Sequence, residues 1–219
     1  MTIISRPAAI IAMLLIFVLA GLLGGPGNSV DVAVIHWLAA IRHSNPQFTS
    51  LVVAMTQLGS IYATLSLGLL VSAALAFRHH RRGAILLAAI TLVERMTVDG
   101  LKLIVGRPRP GFDLHPVATS SSSFPSGHSA NSMAVFVAVA LIAIPPAWRR
   151  SALAIAMCIS GIIGLTRIFL GVHWPSDVVG GWALGLLIVG LFVIAGRTSG
   201  AIEAQHDVVG RHLPPSSER

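Results

Sequence analysis

Six long apolar stretches, separated by short polar segments, dominate this chain of 219 residues. A helix needs about 20 mostly apolar residues to cross the hydrocarbon core of a bilayer. The stretches cover residues 8–23, 55–77, 83–103, 129–144, 151–165 and 175–195. Only 11% of the residues are charged, against roughly 25% in a soluble domain. We therefore predict an all-α, integral-membrane bundle of six transmembrane helices.

The first stretch, residues 8–23, has two interpretations. It is short enough for the apolar core of a cleavable signal peptide. The following segment, GLLGGPGNS, lacks a clear small-x-small cleavage site, so we interpret the stretch as a membrane anchor. Residues 1–200 then form one membrane domain. Residues 201–219 form a polar tail, rich in proline and serine at its end, that we predict to be mobile.

The net charge of +7 follows the pattern of membrane topology rather than that of a nucleic-acid-binding protein. Six spans place both termini on one side. Most arginines outside the spans fall on that same side, namely Arg6, Arg78, Arg81, Arg82, Arg149, Arg150 and Arg197. Basic loops face the cytoplasm. We therefore predict cytoplasmic termini, anionic lipid as a partner and no nucleic acid.

One segment, residues 29–42, is amphipathic rather than uniformly apolar. Val34, Ile35, Leu38 and Ile41 recur at helical spacing, which predicts a short helix lying on the membrane surface. It is either a connector or a gate beside a substrate entrance.

The third stretch ends in the first of three polar clusters, KLIVGRPRP at residues 102–110. The prolines keep this backbone extended, so that Lys102, Arg107 and Arg109 are presented from a stiff segment. A guanidinium group matches phosphate oxygens with paired hydrogen bonds. The alternative is that these cations anchor the helix by reaching the membrane interface.

The second cluster, PSGH at residues 125–128, immediately precedes the fourth stretch. Ser126, Gly127 and His128 therefore lie at a helix N-terminus, where unpaired N–H groups and the helix dipole favour an anion. The glycine lets the backbone approach a ligand, and the histidine can donate a proton near neutral pH. The alternative is a capping serine beside an incidental histidine.

The third cluster, TRIFLGVHWPSDVVGG at residues 166–181, joins the fifth and sixth stretches. Arg167 ends one helix, and Pro175 suits the first turn of the next, which places Asp177 close to His173. A carboxylate there can hold one imidazole N–H and leave the other ring nitrogen free to attack. The alternative is an interfacial His–Trp pair beside a capping aspartate.

Because the six stretches alternate sides of the membrane, all three clusters fall on one side. Together they supply cations, an anion-binding helix N-terminus, two histidines and an orienting carboxylate, a set that suffices for phosphoryl transfer without a metal. The single cysteine excludes an internal disulfide and a cysteine metal site. We predict no metal and no cofactor.

In order and spacing these clusters resemble the signature of the type-2 phosphatidic acid phosphatase family, whose fold and motifs are shared with vanadium haloperoxidases. That signature is Lys, six residues, Arg-Pro; then Pro-Ser-Gly-His; then Ser-Arg, five residues, His, three residues, Asp. The matching positions are Lys102, Arg109, Pro110, Pro125, Ser126, Gly127, His128, Thr166, Arg167, His173 and Asp177. Thr166 is the one departure, and threonine keeps the hydroxyl of the usual serine.

The resemblance implies a role for each position. His173 attacks phosphorus and forms a phosphohistidine, Asp177 orients it, and His128 protonates the leaving oxygen before helping to activate water. The phosphate oxygens are held by Lys102, Arg109, Ser126, Gly127 and Arg167, with support from Pro110, Pro125 and Thr166. Arg107 matches no signature position and is interpreted as a lipid-facing or supporting cation.

The later half of the third stretch carries Glu94, Arg95 and Asp99. Ionisable groups within a span are costly and often functional. Arg95 and Asp99 are four residues apart on a helix and can form an ion pair. The alternative is that Asp99 supports Lys102 from behind.

We therefore predict an integral-membrane, metal-independent lipid phosphatase. The resemblance implies a site on the periplasmic or extracellular face of a bacterial cytoplasmic membrane. It implies substrates such as phosphatidic acid, phosphatidylglycerophosphate or undecaprenyl pyrophosphate, among which the motifs do not choose. The preference for one lipid head group must therefore come from loops such as GFDLHPVATSSS, residues 111–122. The alternative is a transporter or binding protein for phosphorylated lipids, which would not need two histidines and an orienting carboxylate.

Overall fold

The computed structural model describes residues 6–111, 116–117 and 121–211, and all regular structure within these ranges is helical. Eight α-helices follow one another, with a short 3-10 turn at Gln57–Gly59 between the third and fourth. Their bounds are α1 Pro7–Leu23, α2 Ser29–Ser44, α3 Pro46–Thr56, α4 Ile61–Phe77, α5 Arg81–Val105, α6 Gly127–Ile142, α7 Arg149–Phe169 and α8 Pro175–Arg211. The predicted all-α fold is confirmed.

Three segments within the described ranges are both long and apolar enough to cross a membrane: Pro46–Phe77, Arg149–Phe169 and Pro175–Gly196. The apolar helices α1 and α6 are shorter, with 17 and 16 residues. The 25 residues of α5 are long enough but carry charged side chains along the helix. An integral-membrane protein is supported by this pattern, whereas the count of six spans remains a prediction.

The central helix of the bundle is α6, which is buried along most of its length. It packs against α5, α7 and α8. Small residues allow a close approach to α8: Gly181 and Gly185 lie against the backbone of α6 near Ala130. Close backbone contact through small side chains is the usual way in which membrane helices associate. The first turn of α6 is thereby fixed relative to the start of α8.

The amphipathic segment forms α2, and its N-terminus is capped by Asn28. The side chain of Asn28 accepts hydrogen bonds from the N–H groups of Val30 and Asp31, at 3.0 Å each. One face of the helix is buried through Ile35, which packs on Trp174 and Val178. The opposite face is exposed.

The second predicted stretch, residues 55–77, is interrupted by the 3-10 turn at Gln57–Gly59, which packs against other helices of the bundle. Gly59 in the 3-10 turn lies so close to α6 and α7 that a Cβ atom there would be 2.4 Å from Ile163 and 3.2 Å from the carbonyl oxygen of His128. A side chain larger than that of glycine would therefore clash at this position. α4 begins at Ile61, after Ser60, whose side chain caps the helix by accepting a 3.3 Å hydrogen bond from the Ala63 N–H.

The backbone of α8 continues to Arg211. The first part of the predicted tail, residues 201–211, is thus helical, and residues 212–219 lie outside the described residues. The division into a domain over residues 1–200 and a mobile tail stays a prediction.

The contact between α6 and α8 predicts that Gly185→Ala destabilises the protein. A Cβ atom at this position would lie 2.8 Å from the carbonyl oxygen of Ala130 and 3.0 Å from the amide nitrogen of Ala134, both backbone atoms that cannot move aside. Overpacking of this kind costs about 1–3 kcal/mol, so we expect the thermal midpoint of the purified protein to fall by several degrees.

The matched control is Gly161→Ala, because no heavy atom outside its own helix backbone lies within 4 Å of a Cβ atom there. Alanine favours a helix interior over glycine by about 1 kcal/mol, so the midpoint should stay or rise. Equal midpoints for the two variants would contradict the proposed packing.

Candidate active site

The three polar clusters of the sequence lie together at one end of the bundle. Their side chains come from the C-terminal end of α5, the segment between α5 and α6, the N-terminal end of α6, the C-terminal end of α7 and the start of α8. The residues concerned are Lys102, Arg109, Ser126, Gly127, His128, Arg167, His173 and Asp177. Segments more than 60 residues apart in the chain therefore share one site, as the hydrogen bonds between Arg109 and residues 172–173 show directly.

Lys102 occupies the last turn of α5 and is almost fully buried. Its ammonium group donates a hydrogen bond of 2.6 Å to the carbonyl oxygen of Ser122, and the Ser122 hydroxyl donates one of 2.7 Å back to the Lys102 carbonyl. Gly106 ends the helix in the left-handed region, with φ 60°. The chain then turns and carries the two following arginines beside the lysine.

Arg109 contacts the predicted nucleophile itself. Its guanidinium group donates to the carbonyl oxygens of Ser121 at 2.8 Å and Val172 at 2.6 Å, and one nitrogen lies 3.1 Å from Nε2 of His173. A guanidinium group has donors only, so Nε2 must be the acceptor. The imidazole proton is therefore on Nδ1, the ring nitrogen that faces Asp177.

His173 is buried, with only 2% of its surface exposed. Burial, reinforced by the positive charges of Arg109 and Arg167, holds the pKa of His173 well below its ordinary value. The imidazole is therefore neutral, as a nucleophile must be. Burial likewise lowers the pKa of the Arg109 guanidinium, a shift that the charge of Asp177 opposes.

The carboxylate of Asp177 lies beside the imidazole but is shared among several donors. One oxygen, Oδ2, is 3.5 Å from Nδ1 of His173. The same oxygen accepts a 2.8 Å hydrogen bond from the Trp174 N–H and a short one from the Ser123 hydroxyl. The predicted proximity of His173 and Asp177 is thus present, with Ser123 as an additional partner of both, since its hydroxyl is 3.5 Å from Nδ1.

The loop that carries His173 depends on a glycine. Gly171 has φ 70°, a left-handed conformation that side chains disfavour, and a Cβ atom there would lie 3.0 Å from the guanidinium group of Arg42. Its N–H donates to the carbonyl oxygen of Ile168 and closes the C-terminal turn of α7. α8 then begins at Pro175, where the sequence predicts a helix start.

Arg167 contributes a third cation from the last turn of α7. It is 5% exposed, and one of its terminal nitrogens donates a 3.0 Å hydrogen bond to the hydroxyl of Thr56. Within the described part of the chain, its Nε–H has no hydrogen-bond acceptor. A buried N–H without a protein partner is rare, and this one can serve an anionic ligand.

The N-terminus of α6 forms the remaining wall of the site. Ser126 is the N-cap residue, but its side chain makes no capping bond. Its N–H donates a 3.0 Å hydrogen bond to the Asp177 carbonyl, which ties α6 to α8. His128 lies in the first turn and interacts electrostatically with Arg167, Lys102 and Arg109. The first-turn N–H groups, which lack helical partners, add to this positive environment.

Arg107 matches no signature position, and the sequence alone leaves it as either a lipid-facing or a supporting cation. Its side chain is only 6% exposed, which favours the supporting role. It donates a 2.8 Å hydrogen bond to Oδ1 of Asp177 and further bonds to the carbonyl oxygens of Ala20 and Gly21 at the end of α1. Its guanidinium group also lies 4.5 Å from the ring centre of Phe124. No local signal links this arginine to carbonyl groups more than 80 residues away.

The charges within α5 pair as the spacing predicts. Arg95 donates a 2.8 Å hydrogen bond to Asp99. The Asp99 side chain is 55% exposed, and the hydrogen bonds of Lys102 and Asp99 in the described residues do not join them, which disfavours the supporting role. Glu94 is buried, and the amide nitrogen of Asn131, in the orientation that satisfies its partners, donates to it at 2.9 Å.

The remaining predicted supporting residues border the site without reaching its centre. The Thr166 hydroxyl donates to the carbonyl oxygen of Ile163 in its own helix. Pro125 follows a cis peptide bond, and Pro110 is buried. The loop to which head-group preference is assigned, residues 111–122, lies mostly outside the described residues. In the described ranges, no group of three or more His, Cys, Asp or Glu side chains could hold a metal ion.

An apolar groove of about 500 Å³ runs beside the site, between α2, α3 and α7. It passes next to Thr166, the neighbour of Arg167, and ends near Phe169 at the C-terminus of α7. Its walls include the side chains of Trp37, Phe48, Val52, Met55, Leu165 and Phe169. A hydrocarbon chain therefore has an apolar surface within reach of the buried cations.

Residues 82–200 match the sequence profile of the PAP2 superfamily. The chain is 31% identical over 163 residues to phosphatidylglycerophosphatase B of Bacillus subtilis, covering 72% of this chain and 79% of that protein. It is 30% identical over 160 residues to undecaprenyl-diphosphatase BcrC of the same organism, covering 69% of this chain and 77% of that protein.

A solved structure also resembles the fold. The crystal structure of a transmembrane PAP2-type phosphatidylglycerolphosphate phosphatase from Bacillus subtilis superimposes with a TM-score of 0.78 at 28% identity. The match covers 86% of this chain and 96% of that chain. The similarity therefore extends over the whole bundle and is not confined to the three clusters.

The contact between Arg167 and Thr56 predicts that Thr56→Val weakens the binding of inorganic phosphate. Valine has the same shape but cannot hold the guanidinium group, so the arginine loses its fixed orientation. We expect the dissociation constant, measured by calorimetry in detergent, to rise about tenfold, the contribution of one hydrogen bond to a charged group.

The control is Thr97→Val, since the Thr97 hydroxyl donates only to the carbonyl oxygen of Val93 in its own helix. This variant should bind phosphate as the unmodified protein does. The assignment of Thr56 fails if both variants bind phosphate equally well.

Proposed function

This chain belongs to the PAP2 superfamily, and we propose that it removes a phosphate group from a membrane lipid through a phosphohistidine intermediate. It is a phosphatase, a hydrolase of lipid phosphates, as its PAP2 relatives are. The observation that carries the proposed mechanism is the position of His173, whose neutral imidazole is buried between three cations and one carboxylate. The cations around this neutral imidazole can bind a negatively charged substrate and hold it next to the ring.

In the first step, Nε2 of His173 attacks phosphorus as the bond from phosphorus to the leaving oxygen breaks. The proton on Nδ1 faces Asp177, which stabilises the positive charge that the ring acquires. His128 gives a proton to the leaving oxygen, so the lipid departs as a neutral alcohol or as a shorter phosphate.

In the second step, water attacks the phosphohistidine, and His128, now neutral, accepts its proton. The bond between phosphorus and Nε2 breaks, and inorganic phosphate leaves with His173 restored. Lys102, Arg109 and Arg167 bind the equatorial oxygens throughout and stabilise the charge of the transition state. The first-turn N–H groups of α6, including that of Gly127, add donors from the backbone.

Two features support a lipid rather than a soluble phosphate ester as substrate. The groove between α2, α3 and α7 is apolar and is lined by Thr166 and Ile168, the sequence neighbours of Arg167. The relatives named above act on phosphatidylglycerophosphate and on undecaprenyl diphosphate. We propose a phosphomonoester or pyrophosphate of this class for this chain, with the head group bound by the cations and the hydrocarbon chain in the groove.

The proposed topology places this chemistry outside the cell. Six spans with cytoplasmic termini in a bacterial inner membrane would put the site on the periplasmic or extracellular face. The basic side chains at the start of α5, Arg81 and Arg82, lie at the other end of the helix that carries Lys102. Their position agrees with a cytoplasmic location for that end.

We expect His173→Ala to abolish phosphate release from every lipid substrate while the protein stays folded. The measurement is inorganic phosphate released in detergent from phosphatidic acid, phosphatidylglycerophosphate and undecaprenyl pyrophosphate, and the fastest of the three identifies the preferred class. The control is His80→Ala, an exposed histidine before the first residue of α5. A fully active His173→Ala variant would refute the phosphohistidine mechanism, and a folded wild-type protein without turnover would favour a transporter or binding protein.

We also expect phosphate release to be unchanged by EDTA, because the cations of the site are protein side chains. The assay compares initial rates in metal-free buffer, with a chelator and with added Mg²⁺. A rate that disappears with the chelator and returns with the metal would contradict the proposed mechanism.

A further inference from the structure

The amphipathic helix α2 is fastened at both ends to the segment that carries His173. At its N-terminal end, Asp31 accepts hydrogen bonds from the N–H of Ser176 at 3.0 Å and from its hydroxyl at 2.5 Å. At its C-terminal end, Arg42 donates a 2.6 Å hydrogen bond to the carbonyl oxygen of Phe169. Both charged side chains are buried, at 3% and 6% exposure. The helix thus spans the loop between α7 and α8.

A continuous path of polar contacts leads from α2 to the imidazole. The Ser176 hydroxyl, which donates to Asp31, accepts a 3.1 Å hydrogen bond from a terminal nitrogen of Arg107. The same nitrogen donates to Oδ1 of Asp177 at 2.8 Å. The other oxygen of Asp177 faces Nδ1 of His173. The path therefore joins α2, the start of α8 and the segment after α5.

Attachment of α2 to the bundle does not by itself explain the buried charges along this path. Apolar packing of Ile35 on Trp174 and Val178 already holds the helix against α7 and α8. Buried ion pairs are often no more stabilising than apolar packing of the same volume. Hydrogen bonds have a fixed direction, so they add orientation to this attachment. Arg107 donates to both Ser176 and the carboxylate of Asp177, and it can do so in one geometry only.

We propose that Asp31 and Arg107 are positioning residues that hold Asp177, and through it the imidazole of His173, in the reactive orientation. In this role α2 acts as a clamp: it fixes the position of the loop between α7 and α8 that carries His173, and it does more than connect α1 to α3. The proposal rests on the function proposed above, in which His173 is the nucleophile. It predicts an effect on the chemical step and not on phosphate binding, because Lys102, Arg109 and Arg167 lie outside the path.

The first test is Asp31→Asn, which keeps the shape but removes the charge and one of the two acceptor oxygens. We expect kcat to fall about tenfold, the contribution of one hydrogen bond to a charged group, with KM changed by no more than about twofold. Ser176→Ala provides a second variant that removes the hydroxyl link and leaves both charges in place. It should lower kcat at least as much, because this hydroxyl is the contact through which Asp31 is joined to Arg107.

The matched control is Ile35→Ala, one helical turn beyond Asp31 and fully buried in the apolar contact of α2. It weakens the attachment of the helix without touching the polar path. We expect its thermal midpoint to fall at least as much as that of Asp31→Asn, while kcat stays within about twofold of the unmodified enzyme. If kcat falls equally in both variants, attachment of the helix explains the effect and the proposal is overturned.

A double-mutant cycle tests whether Asp31 and Arg107 act through one path. Arg107→Lys keeps the charge, but an ammonium group cannot reproduce the planar fork that meets Ser176 and Asp177 together. If the path is single, Asp31→Asn should cost little further kcat in the Arg107→Lys background, whereas Ile35→Ala should cost the same in both backgrounds. Strictly additive losses for Asp31 and Arg107 would overturn the proposal.

These outcomes are distinct from failure of the proposed function. An active His173→Ala enzyme would remove the nucleophile on which the proposal rests. An inactive His173→Ala enzyme together with an Asp31→Asn enzyme of unchanged kcat would leave the proposed function standing and reject the clamp.

Discussion

The carboxylate of Asp177 is the interaction on which the arrangement of the site depends. It is fully buried, and a buried carboxylate is stable only when surrounded by donors. These donors come from three separate parts of the chain: Arg107 after α5, Ser123 before α6 and the Trp174 N–H before α8. The backbone carbonyl oxygen of Asp177 also accepts a hydrogen bond from the N–H of Ser126. Satisfying one aspartate therefore brings together the segment after α5, the start of α6 and the start of α8.

The cations of the site are held differently, by neutral partners. Lys102 donates to a backbone carbonyl, Arg109 to two, and Arg167 to a threonine hydroxyl. Carbonyl and hydroxyl dipoles orient a cation without cancelling its charge. Asp177 acts electrostatically on Lys102 and Arg109, and Arg107 already neutralises its charge. The site thus keeps a net positive charge at low dielectric, where its attraction for a phosphate group is strongest.

Local rules in the sequence predicted the helix starts and much of the site. Pro175 suits a first turn and begins α8, and Ser126 precedes α6 as predicted, although its side chain makes no capping bond. The Arg95–Asp99 pair followed from helical spacing alone. Partners fixed by tertiary packing could not be predicted: Arg107 with the end of α1, Thr56 with Arg167, and Asp31 with Ser176 join residues separated by 87, 111 and 145 positions. The break in the second stretch does have a local signal, which hydropathy alone does not show: Ser60 caps the start of α4.

The hydrogen bond from Arg109 to Nε2 of His173 has a further consequence. The lone pair that would attack phosphorus is already occupied by an N–H donor at 3.1 Å. An incoming phosphate oxygen is a better acceptor for that guanidinium group than a neutral ring nitrogen is. The arginine can therefore exchange one partner for the other, and this exchange would free Nε2, the atom proposed to attack phosphorus, when a phosphate group enters the site.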